Sequence, residues 1–201
     1  MKNFSKVFSV FKKNYKAIPL EAFGKNPYKT LVSVLLSSRT LDSTTHKAAR
    51  RLFAKAPNLK ILSEFDIKVL SNLIYPVGFY NTKARYLKRL ASIVLKNYKG
   101  NIPQTRQELM KLPGVGRKTA NLVLNRAFEK PAIAVDTHVH RIANLLGWVK
   151  TKTPEQTEKE LKKILPKKYW SQINRLFVSI GQQYRSSGKL SEFFKKSRLI
   201  T

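Results

Sequence analysis

The sequence predicts an all-α protein. Apolar residues recur three and four positions apart in successive segments, which places them on one face of a helix. We find no pair of segments that alternate apolar and polar residues as paired strands do. Proline and glycine separate the helical segments. Apolar residues make up 42% of the 201 residues, which is enough for a packed core.

The N-terminal half contains five predicted helices. Asn, Asp and Ser residues mark several of their starts, because these side chains accept hydrogen bonds from first-turn N–H groups. The first helix has Phe4, Val7, Phe8 and Phe11 on one face and ends before Pro19, and the second opens at Pro27 and runs through Leu35. The third is basic, spans 46–55 and is capped by Asp42 or Ser43. The fourth spans 66–74, and the fifth is long and capped by Asn81.

The C-terminal half is predicted to be helical as well. Thr153 to Gln156 reads as a capping box with proline at the first helical position. The elements in order are a short helix over 105–111, a helix carrying Ala120, Val123, Leu124 and Ala127, an extended apolar run over 132–135, a helix carrying Val139, Ile142, Ala143 and Leu146, a helix after Thr153, a long apolar stripe from Trp170 to Tyr184, and a polar, basic tail.

The segment Leu112–Ala120 joins two of these helices within very few residues. Pro113, Gly114 and Gly116 end one helix and start the next, and the glycines allow a ligand to approach the backbone closely. The N–H groups at the start of the second helix carry partial positive charge, so the turn is an anion site. A backbone phosphate is the expected anion.

Lys118 lies in the first turn of that second helix. A cation there is opposed by the helix dipole and by its neighbour Arg117, and both effects favour the neutral, nucleophilic amine. The alternative is a solvated lysine that only contacts phosphate.

Asp136 follows the apolar run 132–135 and precedes a predicted helix. It is a natural N-cap, and it is also a carboxylate that a catalytic cleft could use; the two roles are compatible. His138 and His140 lie close by. A metal site there is disfavoured, because residues two apart do not share a helix face and no third ligand is evident. We expect His138 to pack or hydrogen-bond within this turn.

Charge and cysteine content restrict the function further. Lys and Arg number 40 against 11 Asp and Glu, a net charge of +29 that implies a polyanionic partner. Basic residues are spread through the predicted helices, which favours a broad duplex-binding face over an anionic membrane or RNA. The chain has no cysteine, so it has no disulfide and no cysteine-ligated metal. No segment approaches the length of a membrane span.

Two segments, LPGVGRKTANLVLNRAF and AIAVDTHVHRIANLLGW, resemble the helix-hairpin-helix DNA glycosylases of the endonuclease III family. The likeness extends from about Pro27 to Trp148. It implies a central helical domain over 20–130, a second domain from 1–19 plus 131–201, and a DNA-binding cleft between them. It also implies that Lys118 and Asp136 are catalytic, with Lys118 forming an imine to the sugar.

The same resemblance suggests a DNA-binding set and one departure from the family. Arg39 and Phe79 fall where the family carries its duplex-filling residues, although glutamine is usual at the position of Arg39. Typical members also hold a 4Fe–4S cluster on four C-terminal cysteines. This chain has no cysteine, so we expect no cluster, and we expect no other cofactor. The expected DNA-binding residues are Gly114, Val115, Gly116, Arg117, Thr119, Arg39, Phe79, Asn81, Lys83 and His138.

The resemblance implies a base-excision-repair DNA glycosylase with abasic-site lyase activity, acting on oxidised pyrimidines in duplex DNA. Two alternatives remain at this stage. One is a glycosylase of the same fold for mismatched uracil or thymine, or for another damaged base. The other is a non-catalytic helix-hairpin-helix DNA-binding module, which would need neither Lys118 nor Asp136. We expect a monomer without membrane attachment that works on chromosomal DNA, in the cytoplasm of a prokaryote, with a nucleus or organelle as the alternative.

Overall fold

The structure, a computed structural model, describes residues 2–23 and 25–200 and confirms the all-α class. The described residues contain no β-strand. They form 3₁₀ turns at Pro19–Phe23 and Lys167–Tyr169. Their α-helices are α1 (Phe4–Lys13), α2 (Pro27–Ser37), α3 (Asp42–Lys55), α4 (Leu59–Glu64), α5 (Ile67–Ile74), α6 (Tyr80–Tyr98), α7 (Arg106–Met110), α8 (Arg117–Phe128), α9 (Thr137–Leu145), α10 (Pro154–Ile164), α11 (Trp170–Gln183) and α12 (Ser187–Lys196). None of these helices is long and apolar enough to cross a membrane.

The chain divides into two compact units, Pro19–Lys130 and Met1–Ile18 with Pro131–Thr201. In the unit Pro19–Lys130, α2 packs against α8, and α6 packs against α4 and α5. Its core is mainly aliphatic, with buried Tyr28 and Phe53 at one side, and includes the fully buried side chains of Leu31, Leu36, Leu52, Leu87 and Leu90. Each such leucine contributes roughly 1.5–3 kcal/mol by leaving water. This packing holds α8, and therefore the hairpin that precedes it, in a fixed position within the unit.

The unit made from both chain ends has an aromatic core. The ring of Phe8 stacks on that of Tyr169 with centroids 4.1 Å apart. The rings of Phe11 and Phe177 meet edge to face at 5.0 Å. Helix α1 thereby joins α11 and the 3₁₀ turn before it, although more than 150 residues separate them in sequence. Within this unit α9 packs on α11.

Helix α6 begins earlier than the sequence predicts, so the prediction that Asn81 caps it is wrong. The N-cap is Phe79, in the left-handed region with a φ of 58°, and it makes no side-chain cap hydrogen bond. Its carbonyl accepts a hydrogen bond from the Lys83 backbone N–H at 3.0 Å, which starts the helix at Tyr80. Asn81 therefore lies exposed in the first turn.

The cap of α3 also differs from the prediction of Asp42 or Ser43. The helix begins at Asp42 and its N-cap is Leu41, which has no side-chain oxygen to offer. The Leu41 carbonyl accepts the first helical hydrogen bond, from Thr45 N at 2.9 Å.

The polar C-terminal tail contains a helix, α12, that the sequence analysis missed. The hydroxyl of Ser186 caps it by accepting a hydrogen bond from Lys189 N at 3.2 Å. Its inner face buries Leu190, Phe193 and Phe194. The ring of Phe193 stacks on Tyr184 with centroids 4.5 Å apart. The tail is therefore an integral part of the aromatic core, with its lysines on the outer face.

Candidate functional site

The hairpin between α7 and α8 is anchored by two apolar side chains. Leu112 and Val115 are both buried, and the Val115 N–H donates to the Leu112 carbonyl at 3.1 Å. Gly114 between them has a φ of 75°. A Cβ added at Gly114 would lie 2.5 Å from the ring of Tyr86. Glycine is therefore required here both by the left-handed backbone and by the contact with Tyr86.

The start of α8 is open to a ligand. Gly116 is the N-cap, and nothing lies within 4 Å of where its Cβ would be. The first-turn N–H groups have no carbonyl one turn earlier in the helix, so they form an anion-binding end. Arg117 and Lys118 are exposed in this turn and Thr119 is half-buried. This geometry suits a phosphate of a nucleic-acid backbone.

Val115 does not fit the DNA-binding role expected for it. Its side chain lies in the core and its N–H group is used within the hairpin. Val115 instead holds the turn in place, so that contact with a ligand falls to the residues on either side.

Asp136 caps α9, as the sequence predicts. One carboxylate oxygen, Oδ1, accepts from Val139 N at 2.9 Å. The other, Oδ2, accepts from the amide Nδ2 of Asn174 at 3.3 Å. The side chain is half-buried, at the end of the buried apolar run 132–135. The carboxylate is thus held by two partners and still reaches solvent.

Asn174 is a residue of this site that sequence reasoning missed. It lies on α11, is 3% exposed, and donates from Nδ2 both to Asp136 and to the Ala134 carbonyl at 3.2 Å. It therefore ties the orientation of the Asp136 carboxylate to the extended segment before it. No local pattern in the sequence links two residues that are 38 positions apart.

His138 and His140 have separate surroundings. The ring of His138 lies against Gly181 on α11, where an added Cβ would be 2.3 Å from Nδ1. The ring of His140 is hydrogen-bonded through Nδ1 to the Thr157 hydroxyl at 2.6 Å. His138 therefore packs within its own unit; its ring is half-buried, and the DNA contact expected of it stays a prediction. Within residues 2–23 and 25–200, no group of three or more His, Cys, Asp or Glu side chains is placed to hold a metal ion.

Arg39 and Phe79 lie together at one surface of the unit Pro19–Lys130. The Arg39 guanidinium lies over the Phe79 ring, 5.5 Å from its centroid. Both residues are exposed, Phe79 by 61%, and both adopt left-handed backbone conformations, with φ of 51° and 58°. An exposed aromatic ring stacked on a cation has the shape and chemistry to enter a base stack.

Lys83 is not a surface cation, so its predicted role in contacting DNA is wrong. Its side chain is buried, 5% exposed, and its ammonium donates to the carbonyls of Leu36 and Ser38 at 2.8 and 2.5 Å. Burial lowers the pKa of Lys83 to about 8. The sequence carries a sign of this burial, because Lys83 stands four and seven positions before Leu87 and Leu90, on the same face of α6.

Comparison with known proteins agrees with this arrangement. Residues 32–167 match the family described as HhH-GPD superfamily base excision DNA repair protein. Endonuclease III of Thermotoga maritima is 46% identical over 168 residues, covering 84% of this chain and 79% of that protein. Endonuclease III-like protein 1 of Mus musculus is also 46% identical, over 159 residues, but this match spans only 53% of its length.

Solved structures give the same result. A trapped covalent complex of endonuclease III with DNA superposes with a TM-score of 0.81 and 33% identity, covering 93% of this chain and 89% of that one. A thermostable thymine-DNA glycosylase has a TM-score of 0.78 at 22% identity, over 91% of this chain and 86% of that one, which shows a shared fold.

Proposed function

Because this chain belongs to the endonuclease III family of base-excision-repair DNA glycosylases with abasic-site lyase activity, we propose that Lys118 and Asp136 perform its chemistry and that oxidised pyrimidines in duplex DNA are its substrates. The observation that carries the proposal is the position of Lys118. An exposed amine in the first turn of α8 lies beside the phosphate-binding N–H groups of the same helix. A phosphate bound there would bring a sugar within reach of the amine.

The reaction begins with the damaged nucleotide turned out of the stack, since its C1′ is inaccessible inside the duplex. The lone pair of the neutral Lys118 amine forms a bond to C1′. The C1′–N bond to the base breaks, and its electron pair leaves with the base, which takes up a proton. Opening of the sugar ring then gives an imine between Lys118 and C1′. Loss of a C2′ proton from this imine expels the 3′ phosphate and cuts the strand.

Asp136 assists the first of these steps in our proposal. A carboxylate held by Val139 N and Asn174 is oriented before substrate arrives. It can stabilise the positive charge that develops on the sugar or accept the proton that the lysine loses. Capping α9 fixes the position of the Asp136 carboxylate and does not neutralise it.

The iron–sulfur cluster that the family resemblance implies does not fit this chain. Thiolates are the ligands of such clusters, and the sequence contains no cysteine. In the C-terminal region, Leu190, Phe193 and Phe194 pack α12 into the core of its unit. We therefore assign no step and no binding role to a cluster, and we infer that the basic outer face of α12 contacts DNA.

A duplex carrying one damaged base or abasic site is the proposed partner. We propose that a single copy of the chain acts on it, in the compartment that holds chromosomal DNA.

The direct test uses wild-type protein and a panel of duplexes with single lesions. We expect strand cleavage at oxidised pyrimidines and a covalent protein–DNA complex only when borohydride is added, because borohydride reduces an imine to a stable bond. Cleavage confined to mismatched uracil or thymine would refute the substrate class. Binding without cleavage or trapping would refute the activity.

The first prediction concerns Arg39 and the base opposite the lesion. Arginine donates strongly to guanine, whereas glutamine pairs better with adenine. Arg39→Gln is therefore expected to change the ratio of cleavage rates with G and A opposite the lesion by about tenfold, with a smaller effect on the best pairing. Single-turnover rates with each of the four opposite bases provide the measurement. A uniform decrease with all four bases would instead identify Arg39 as a phosphate contact.

The second prediction concerns α12. Lys189 and Lys195 are exposed on its outer face, and each phosphate that a cation neutralises adds about 0.9 to the slope of log K against log salt. The variant Lys189→Gln/Lys195→Gln is expected to lower this slope by about one to two. Glutamine leaves Phe193 and Phe194 in the core. The control Lys159→Gln/Lys163→Gln on α10 removes the same net charge, and equal changes in both variants would refute a contact specific to α12.

A further inference from the structure

Arg39 and Phe79, which we call the wedge, are both exposed and adopt a conformation that most non-glycine residues avoid. Arg39 lies between α2 and α3 and Phe79 immediately precedes α6, and both are left-handed. Such a conformation persists only where surrounding contacts over-determine it. Neither side chain is buried, so core packing of these side chains does not hold them. The restraint must come from neighbouring groups.

The two turns are joined through the Thr40 hydroxyl. It accepts a hydrogen bond from Gly78 N at 3.1 Å and donates to the Ser38 carbonyl at 3.2 Å. The backbones approach so closely that a Cβ on Gly78 would lie 2.5 Å from the Arg39 carbonyl oxygen. The turn containing Arg39 and the turn containing Phe79 therefore cannot move independently.

Buried Lys83 is hydrogen-bonded to the same two turns. Its ammonium has three N–H donors, and three acceptors surround it: the carbonyls of Leu36 and Ser38, and the Thr40 hydroxyl at 3.3 Å. Its own backbone N–H donates to the Phe79 carbonyl. One buried residue thus touches the end of α2, the turn that carries Arg39 and the residue Phe79.

We propose that Lys83 is a positioning residue that holds Arg39 and Phe79 in the conformation in which they enter the duplex. The inference rests on the proposed function only in taking DNA as the ligand of these two residues. Because all three ammonium donors are used inside the protein, Lys83 acts through the two turns and does not contact DNA itself.

A purely structural explanation is available, and the chain contains its own control for it. A lysine at the C-terminal end of a helix satisfies free carbonyls and complements the helix dipole. Lys88, on the same helix α6, does this at the end of α4, donating to the carbonyls of Ser63 and Phe65 at 2.6 and 2.8 Å. Neither of these carbonyls belongs to the turns that carry Arg39 and Phe79. The two lysines therefore share a capping role, but Lys83 reaches the turns of Arg39 and Phe79 and is the more buried of the two.

The experiment compares Lys83→Met, Lys88→Met and Thr40→Val with wild type. Methionine keeps the length of the side chain without its donors, and valine keeps the shape of threonine without its hydroxyl. The probe is a duplex with 2-aminopurine opposite a tetrahydrofuran abasic analogue, whose fluorescence rises when the wedge unstacks the probe base. Thermal melts monitored by circular dichroism establish which variants fold and set the working temperature.

We expect Lys83→Met and Thr40→Val to bind the probe duplex with a smaller fluorescence rise at saturation, and Lys88→Met to match wild type. On a paired lesion, Lys83→Met should lower kcat/KM about tenfold and reduce the differences in cleavage rate between duplexes with different opposite bases. Trapping at a ready-made abasic site should change by less than about threefold. If Lys83→Met fails to fold, Thr40→Val provides the decisive comparison.

Equal behaviour of the Lys83 and Lys88 variants in fluorescence and in opposite-base ratios would overturn the positioning role and leave the proposed enzymatic function intact. A wild-type protein that cleaves no lesion would overturn the enzymatic function instead. In that case the fluorescence comparison still decides for or against Lys83, because it depends only on binding.

Discussion

Replacing Lys118 with glutamine is expected to abolish borohydride trapping and to reduce strand cleavage by roughly three orders of magnitude or more. Glutamine retains much of the side-chain length and can donate a hydrogen bond, but it has no amine to form an imine. Duplex binding should persist, because the N–H groups at the start of α8 remain in place. Trapping, cleavage and binding affinity are measured on the same lesion duplex.

Lys111 provides a matched control for this substitution. It is an exposed lysine at the C-cap of α7, on the other side of the hairpin from Lys118. Lys111→Gln removes the same charge and should trap as wild type does. If Lys118→Gln still traps, the nucleophile is another amine. If Lys118→Gln loses binding in parallel with cleavage, the lysine is a phosphate contact and the protein is better described as a binding module.

The second large effect is expected for Asp136, and it separates capping from catalysis. Asn is as good an N-cap as Asp, and this chain already uses Asn3, Asn26 and Asn58 as N-caps. Asp136→Asn should therefore keep the cap of α9 while removing the charge, although the new amide group can no longer accept the hydrogen bond from Asn174. We expect base release to slow by about 10²–10³-fold. Trapping at a ready-made abasic site should fall by less than about tenfold, since that step depends mainly on the amine.

Asp136→Ala completes the comparison, because it removes the cap and the charge together. Its kinetics should resemble those of Asp136→Asn, and its stability should be lower by about 1 kcal/mol through loss of the cap. Thermal unfolding and single-turnover base release measure the two effects. A fully active Asp136→Asn variant would show that the carboxylate serves only to cap α9.

Parts of the site that depend on local signals were predictable from the sequence. The hairpin follows from the proline and two glycines around Val115, and the cap of α9 follows from an aspartate placed between an apolar run and an apolar helix face. Both predictions rest on residues that are neighbours along the chain. The structure adds the reason why Gly114 must be glycine, which is the ring of Tyr86.

The errors arose where the surroundings of a residue come from parts of the chain that are distant in sequence. Lys83 was expected to contact DNA, because its acceptors, the carbonyls of Leu36 and Ser38, lie more than 40 positions earlier in the chain. Its helical spacing from Leu87 nevertheless placed it on the buried face of α6. Asn174 gave no signal, because its partners are also distant in sequence. Helix α12 is a different case, since the spacing of Leu190, Phe193 and Phe194 is helical and visible in the sequence. There the lysines of the outer face concealed a pattern that was present.

The aromatic unit shared by both chain ends has a consequence for synthesis of the protein. Translation produces α1 long before α11, and Phe8 and Phe11 can be buried only after Tyr169 and Phe177 have been made. The segment Pro19–Lys130 can complete its own aliphatic core in the meantime. A nascent chain therefore carries exposed phenylalanines on α1 until Tyr169 and Phe177 have been made, and during this interval they are open to chaperones and to aggregation.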